Sequence, residues 1–171
     1  AAAVICSAAR ARQFTAHPVT VATSTVATMQ FGDALPRGLA GPVPRGPSLH
    51  TEARAAVRRA FELAGIGPQD VSLTELQDNT CYYELAFPEE WGLCAPGEAE
   101  HLLETGQTTP TGGMPINPSG GFLSFGEATT AMGVFQIAEL TWQLRGQSGG
   151  RQVAGARVGL AQTLGLGGNA T

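Results

Sequence analysis

The side chains that could carry chemistry in this chain are mainly acids, amides and tyrosines. The three cysteines, Cys6, Cys81 and Cys94, stand at no metal-ligand spacing, and their odd number favours a reducing, cytoplasmic setting over a disulfide framework. All ten positively charged residues are Arg, and without Lys no imine can form on a lysine amine. Proton transfer and hydrogen bonding from the remaining polar groups are the chemistry to look for.

Each candidate has a structural interpretation beside its functional one. Glu127 begins a predicted buried helix, where it is either a base or an acid favoured by the positive helix end. Asp78 is an expected N-cap of the helix that runs through Glu84 and Leu85. Tyr82 and Tyr83 are adjacent and point in different directions, so at most one faces a pocket and either can be a core residue.

The remaining polar candidates lie in loops or on a helix surface. Asn117 precedes a Pro, and with Gly120 and Gly121 it either shapes a turn or lines a pocket. We interpret the histidines as surface residues; they are His17, His50 and His101. The arginine cluster is interpreted as a solvated face, with a phosphate contact as the alternative; its members are Arg54, Arg58 and Arg59.

Composition bounds the class of protein. The 171 residues are one domain's worth of chain, with 43% hydrophobic and 14% charged residues and a net charge of −4. This acidic balance argues against a nucleic-acid partner. No run of about 18 apolar residues exists, so membrane insertion is not expected. The chain opens without Met inside an apolar run, and we expect it to be part of a longer protein.

The elements that must position the candidates alternate between strand and helix. Thr51 is a good N-cap and Gly65 a good stop, which predicts a helix between them with an apolar stripe along one side. The other predicted elements are strands over residues 2–6, 19–29, 71–76 and 157–164, helices over 8–13, 97–104 and 127–145, a helix from Asp78 that Pro88 interrupts, and a loop over 32–47. Because the helix over 127–145 is apolar nearly all round, we expect it in the middle of a layered α/β fold.

Several segments resemble the C-terminal half of the thiolase superfamily, and most closely its lipid-transfer branch, which is related to the sterol carrier protein thiolases. The segments are A-A-V-R-R-A through A-G-I at 55–66, T-E-L-Q-D at 74–78, I-N-P-S-G-G at 116–121 and E-L-T-W-Q-L-R-G at 139–146. The start, A-A-A-V-I-C-S, looks like the last strand of the family's first half. The N-P-S-G-G loop followed by a buried helix is the specific part of this resemblance.

The resemblance implies a thiolase-like layered α/β/α fold. Residues 1–47 would be the end of the N-terminal half with a connecting strand and loop, and residues 48–171 the C-terminal domain. It also implies an acyl-CoA substrate, no cofactor other than the coenzyme A carried by that substrate, and a homodimer. A partner of the DUF35 class, with a zinc ribbon and an OB-fold, is a further implied possibility.

The chain departs from the thiolase pattern at three positions. Thiolases use a His in a G-H-P turn, where Glu127 stands here, and a Cys in a C-x-G turn, where Thr163 stands before Leu164 and Gly165. The Asn of their N-E-A-F motif is replaced by Gln77. The family's nucleophilic Cys belongs to the first half, and no residue of this chain matches it.

These departures favour a repurposed site over ordinary acyl transfer. Some relatives in the lipid-transfer branch are aldolases that cleave a carbon–carbon bond in steroid side-chain CoA thioesters. Such a retro-aldol step needs a base, for which we predict Glu127, made more basic by burial beside Phe125. Gln77 and Asn117 would donate to the thioester oxygen, and Tyr82 or Tyr83 would carry protons.

Substrate-binding roles are predicted for the residues around these candidates, namely Asn117, Gly120, Gly121, Asp78, Thr163 and Gly165. Two other functions stay open. One is an acyltransferase (thiolase) with an altered active site. The other is a catalytically silent subunit that binds acyl-CoA. Convergence of Glu127, Gln77 and Thr163 on one pocket would favour the repurposed site, whereas a Glu127 that points to solvent or only caps its helix would favour the silent subunit.

Overall fold

The computed structural model of the protein describes residues 1–28, 51–128, 130–165 and 169–170. The helices are α1 (Ala8–Ala11), α2 (Thr51–Ala64), α3 (Cys81–Glu90), α4 (Ala99–Glu104), α5 (Gly121–Phe125) and α6 (Met132–Arg145). The strands are β1 (Ala27–Thr28), β2 (Leu73–Glu75), β3 (Gly159–Ala161), β4 (Leu164–Gly165) and β5 (Asn169–Ala170). Short 3-10 turns cover Pro68–Asp70 and Gly149–Arg151.

Strand β2 lies at the centre of this architecture. It pairs in parallel with β3, in a register that sets Thr74 opposite Leu160, and a parallel bridge joins Thr74 to Ile116 on its other side. The whole run from Leu73 to Asp78 is buried. Burial without alternation is what a parallel strand shows when both of its faces are covered.

Helices cover the two faces of β2 in different ways. On one face, α2 and α3 supply the main apolar core, which consists of Ala53, Ala56, Val57, Leu76, Phe87, Trp91 and Ile116. On the other face α6 packs against β2 and β3. The apolar cluster there is small and consists of Leu73, Leu140 and Val153. The layered α/β class predicted from the sequence is confirmed.

A second sheet is antiparallel and has the strand order β1-β5-β4. Ala27 lies opposite Ala170, and Leu164 lies opposite Ala170 on the other side. Two residues, Gln162 and Thr163, separate β3 from β4, so the predicted strand over 157–164 is divided into two strands. This break carries the chain from one sheet to the other beside the end of β2.

The helix predicted after Thr51 is confirmed as α2. Its stripe is buried at Ala53, Ala56 and Val57, three positions that helical spacing places on one side. Gly65 follows the helix at φ 68°, in the left-handed region that favours glycine and ends helices.

The predicted interruption at Pro88 is wrong, because α3 continues through Pro88 to Glu90. Tyr83, Phe87 and Trp91 lie on one side of this helix, with ring centroids 4.8 and 5.0 Å apart in stacked pairs. Proline removes only one backbone hydrogen bond, and this buried aromatic stack offsets the loss.

The helix predicted over 127–145 begins later, at Met132. Gly126, at φ 90°, ends the separate short helix α5 before it. The buried side chains of α6 include Gln136, Glu139 and Gln143. Its exposed side chains include Phe135, Ile137 and Trp142. The prediction that this helix is enclosed on all sides is therefore wrong.

The strand predictions for the N-terminal segment are mostly wrong. Residues 2–6 are exposed and form no strand, whereas the helical turn or short helix predicted over 8–13 is confirmed as α1. Within the strand predicted over 19–29, only Ala27 and Thr28 pair, and residue 29 lies outside the described residues. The predicted loop over 32–47 and His50 also lie outside them. Across the described ranges, no helix is both long and apolar enough to cross a membrane.

Candidate functional site

The candidate site is built where β2 ends and the N-P-S-G-G loop returns to it. Glu75, the last residue of β2, is 2% exposed and accepts two hydrogen bonds from Ser119 of that loop. The Ser119 backbone N–H lies 3.0 Å from Oε1, and the Ser119 hydroxyl lies 2.7 Å from Oε2. Because β2 is parallel to its neighbours, this is the carboxyl edge of the sheet, where open α/β folds place their ligands.

Asp78 fixes the far end of the same loop. Its Oδ1 accepts from the Phe122 N–H at 2.6 Å and its Oδ2 from the Leu123 N–H at 3.3 Å, so it caps the N-terminus of α5. Gly121 sits against the Asp78 carboxylate at φ 64°, and a Cβ there would collide with it. Asp78 was predicted to cap α3, but α3 begins after Thr80 without a side-chain cap.

Asn117 bonds at both ends of its amide. Its Oδ1 accepts from the Leu76 N–H at 2.8 Å, and its Nδ2 donates to Glu84 Oε1 at 3.0 Å. Its own N–H donates to the Thr74 carbonyl at 2.8 Å, and its φ of 47° is left-handed. These contacts give Asn117 a structural role in the loop, whereas its contact with a substrate stays a prediction.

Gln77 is held in one orientation beside the loop. The Leu164 N–H donates to its Oε1 at 2.6 Å, so the opposite end of the amide must be the NH₂ group. Its backbone N–H donates to Gln162 Oε1 at 3.4 Å. Among the residues that the structure describes, the Gln77 NH₂ donates to no acceptor.

The side chains behind Gln77 continue this polar layer toward α6. Gln136 Nε2 donates to the Gln162 carbonyl at 2.8 Å. Gln162 Nε2 and Gln136 Oε1 are buried and have no hydrogen-bond partner within the described residues. The Thr163 methyl lies against α6, where a Cβ on Gly133 would come within 3.0 Å of it.

Burial dominates the electrostatics of the site. It raises the pKa of Glu75 from 4.5 to about 7, against the lowering effect of the Ser119 hydrogen bonds and with smaller contributions from Glu139 and Asp78. Burial also raises the pKa of Glu84, although its bond from Asn117 works in the opposite direction. A buried carboxyl with a pKa near neutrality is a candidate for proton transfer.

The other predicted residues lie apart from this cluster. Glu127 is exposed and precedes α6, so the burial that would have made it a base is absent. Tyr82 is 46% exposed and Tyr83 stacks on Phe87; burial is the main cause that raises the pKa of both hydroxyls. Gly165 is exposed in β4.

The structure thus brings Gln77, Asp78, Asn117, Gly121 and Thr163 to one end of the sheet. Sequence reasoning missed Glu75, Ser119 and Gln162. The available signal for Glu75 was a charged residue inside the short run L-T-E-L, which was itself predicted as a strand.

A cavity of about 140 Å³ lies at the other end of β2, and its lining includes Pro68, Ser72, Leu73 and Met114. None of the predicted site residues lines it. The chemistry and the carboxyl edge of the sheet both favour the Gln77 region as the functional site.

Comparison with known proteins assigns the chain to a family. Residues 45–171 match the family described as Thiolase C-terminal domain-like. The chain belongs to this thiolase family. The resemblance seen in the sequence is thereby confirmed, and so is the thiolase-like α/β fold.

Two curated relatives represent the two main kinds of thiolase-like protein that the chain is similar to. It is 47% identical to sterol carrier protein 2 of Rattus norvegicus over 118 residues, which are 69% of the chain and 22% of that protein. It is 36% identical to the acetyl-CoA acetyltransferase of Methanothermobacter thermautotrophicus over 168 residues, 96% of the chain and 41% of that protein. The chain therefore spans about a fifth of the first relative and two fifths of the second.

A solved thiolase-like structure, titled "Ltp2-ChsH2(DUF35) aldolase", is similar to the chain with a TM-score of 0.63 and 27% sequence identity. The match covers 74% of the chain and 33% of the solved one.

Proposed function

We propose that the protein is a thiolase-like lipid-transfer enzyme that cleaves a carbon–carbon bond in a β-hydroxyacyl-CoA thioester of a lipid or steroid side chain. The observation that carries the proposal is the orientation of Gln77. The Leu164 N–H donates to its Oε1 and so fixes the position of the NH₂ group, which has no acceptor among the described residues. The solved aldolase with the same fold supports the reaction class.

In a retro-aldol step, a base removes the proton of the β-hydroxyl and the Cα–Cβ bond breaks. The β-carbon leaves as an aldehyde or ketone, and the electron pair of the broken bond becomes a thioester enolate. Gln77 would donate to the oxygen on which that negative charge develops. An uncharged amide held by a backbone N–H is already aimed before the reaction and does not have to reorient.

The exposure of Glu127 bears on the competing functions. An acyltransferase like the acetyl-CoA acetyltransferase relative would need substitutes for the His and Cys of the family motifs. The Thr163 hydroxyl is not an acid or base near neutral pH, and Glu127 lacks the burial that such a role requires. The same exposure favours the catalytically silent, acyl-CoA-binding subunit as the second candidate.

We propose a partner of the DUF35 class for this protein, because the solved aldolase has a component named as DUF35. The homodimer predicted from the family resemblance and the cytoplasmic setting stay predictions.

Product analysis separates these functions. The full-length protein is incubated with a β-hydroxyacyl-CoA of a branched side chain, with and without a DUF35-class partner. The proposal predicts an aldehyde or ketone together with the shortened CoA thioester. CoA-ester binding without any product would establish the silent subunit, and acyl transfer between two CoA esters would establish the thiolase reaction; either result would overturn the aldolase proposal.

A further inference from the structure

One buried acid at the site has no part in the proposed function so far. Glu75 is 2% exposed, and both of its carboxylate oxygens accept hydrogen bonds from Ser119, at 3.0 and 2.7 Å. With Glu127 in solvent, the retro-aldol step also lacks a base. The two facts meet at Ser119, which is only partly buried and connects Glu75 to the surface of the loop.

The direction of the hydrogen bonds at Ser119 is fixed by its neighbours. Its Oγ accepts from the Gly121 N–H at 3.1 Å, and when Glu75 is ionised it must donate its single proton to Glu75, because an ionised carboxylate can only accept. A hydroxyl oxygen has two lone pairs, and only one of them is used by Gly121. The second can accept a hydrogen bond from a hydroxyl group of a ligand.

The charges that face Glu75 come from its own segment and from α6. Asp78 follows it on its own segment, and Glu139 approaches from α6. Arg151 pairs with Glu139 at 2.7 Å and neutralises part of that negative field. With burial added, both the protonated and the ionised forms of Glu75 are populated near neutral pH, which suits an acid that must accept and return a proton.

Gln77 follows Glu75 by two residues, and both bond through their backbones to Gln162. The Gln162 N–H donates to the Glu75 carbonyl at 2.9 Å, and the Gln77 N–H donates to Gln162 Oε1 at 3.4 Å. The oxyanion donor and the buried acid therefore lie beside the same residue at the end of β2.

We propose that Ser119 accepts the β-hydroxyl proton of the substrate while passing its own proton to Glu75, so that the pair supplies the base of the retro-aldol step. This inference rests on the proposed function. As the Cα–Cβ bond breaks, the substrate O–H proton moves to Ser119 Oγ, and the Ser119 proton moves to Glu75 Oε2. The reverse transfer then protonates Cα of the enolate, so the pair ends the cycle unchanged. Glu75 acts only through Ser119.

Carbonyl release by the full-length protein, measured against pH, tests the relay. Wild type should lose rate as pH falls through about 7, since the base must be ionised. Glu75→Gln and Ser119→Ala should each be slowed by about a hundredfold or more, and should lose that acidic limb. Ser124→Ala, an exposed serine on α5, should retain the wild-type rate and profile.

Binding of an unreactive acyl-CoA ether and thermal unfolding are measured on the same variants. A merely structural role would lower stability or affinity and leave the acidic limb in place, which would overturn the relay. If wild type releases carbonyl and Glu75→Gln does so at the same rate, the relay is wrong and the proposed function stands. If wild type releases no carbonyl, the relay and the proposed function fail together.

Infrared difference spectra give a readout without turnover. A carboxylic acid band titrating near pH 7 should be present in wild type and absent from Glu75→Gln, and its presence in the variant would contradict the assignment.

Discussion

The two faces of strand β2 are covered by side chains of different polarity. Toward α2 and α3 the contacts are apolar, with Leu76 packed among Phe87, Trp91 and Ile116. Toward α6 the apolar cluster is small, and carboxylates and amides are buried beside it; they include Glu75, Gln77, Gln136, Glu139 and Gln162. An apolar face stabilises the fold, whereas a buried polar face costs free energy wherever a group lacks a partner. The comparison therefore assigns stability to one side of the strand and chemistry to the other.

The largest loss of stability is expected from a substitution on the apolar face. Phe87→Ala removes a fully buried ring from the stack between Tyr83 and Trp91, and should lower the free energy of unfolding by about 4 kcal/mol. Denaturant unfolding of the protein measures it. Phe14→Ala is the matched control, since Phe14 is 72% exposed and its loss should change stability by less than about 0.5 kcal/mol. Equal effects at the two positions would contradict the assignment of the core.

The next effect lies on the polar side and depends on pH. The folded state raises the pKa of Glu75 from 4.5 to about 7, so between these values it binds a proton that the unfolded chain releases. Stability should thus fall as pH rises from 4.5 to about 7, by about 3 kcal/mol from this group, and change no further above that. The difference in unfolding free energy between wild type and Glu75→Gln, measured at each pH, isolates the contribution. A difference that is constant over this range would refute it.

The smallest of these effects concerns the loop that joins the two sides. Gly121→Ala places a Cβ against the Asp78 carboxylate at a left-handed φ, whereas Gly146→Ala has the same backbone problem with no atom within 4 Å. Gly146→Ala should cost about 1 kcal/mol, and Gly121→Ala about 2 kcal/mol or more. Thermal unfolding of both variants measures the difference. If Gly146→Ala proves the more damaging, the contact between Asp78 and the loop is not the constraint we infer.

The parts of the fold that depend on near neighbours in sequence were predictable. Helix α2 follows from an apolar stripe and a glycine stop that lie close together in sequence, and β2 lies within the strand predicted over 71–76. The alternation of strands and helices predicted a layered α/β fold, and the resemblance to thiolases, carried by the N-P-S-G-G loop, narrowed it to the thiolase-like architecture.

The parts that depend on distant partners were not predictable. Asp78 has the residue type of a cap, but its helix lies 44 positions further along the chain. Glu75 looks like any acid until Ser119, also 44 positions away, folds over it. Glu127 was assigned to a helix because nothing in its own neighbourhood reveals that the helix starts only at Met132.

The adjacent residues Leu76 and Gln77 face opposite sides of the sheet, so one experiment can test whether stability depends on the apolar face and chemistry on the polar face. Gln77→Met and Leu76→Ala are compared for kcat of carbonyl release, for binding of an unreactive acyl-CoA and for unfolding free energy. We predict that Gln77→Met lowers kcat by about a hundredfold through loss of the oxyanion donor, while the affinity for acyl-CoA and most of the unfolding free energy remain. Leu76→Ala should instead cost about 3 kcal/mol of stability and leave kcat of the folded protein unchanged. An unaltered kcat in Gln77→Met would contradict the assignment of chemistry to the polar face.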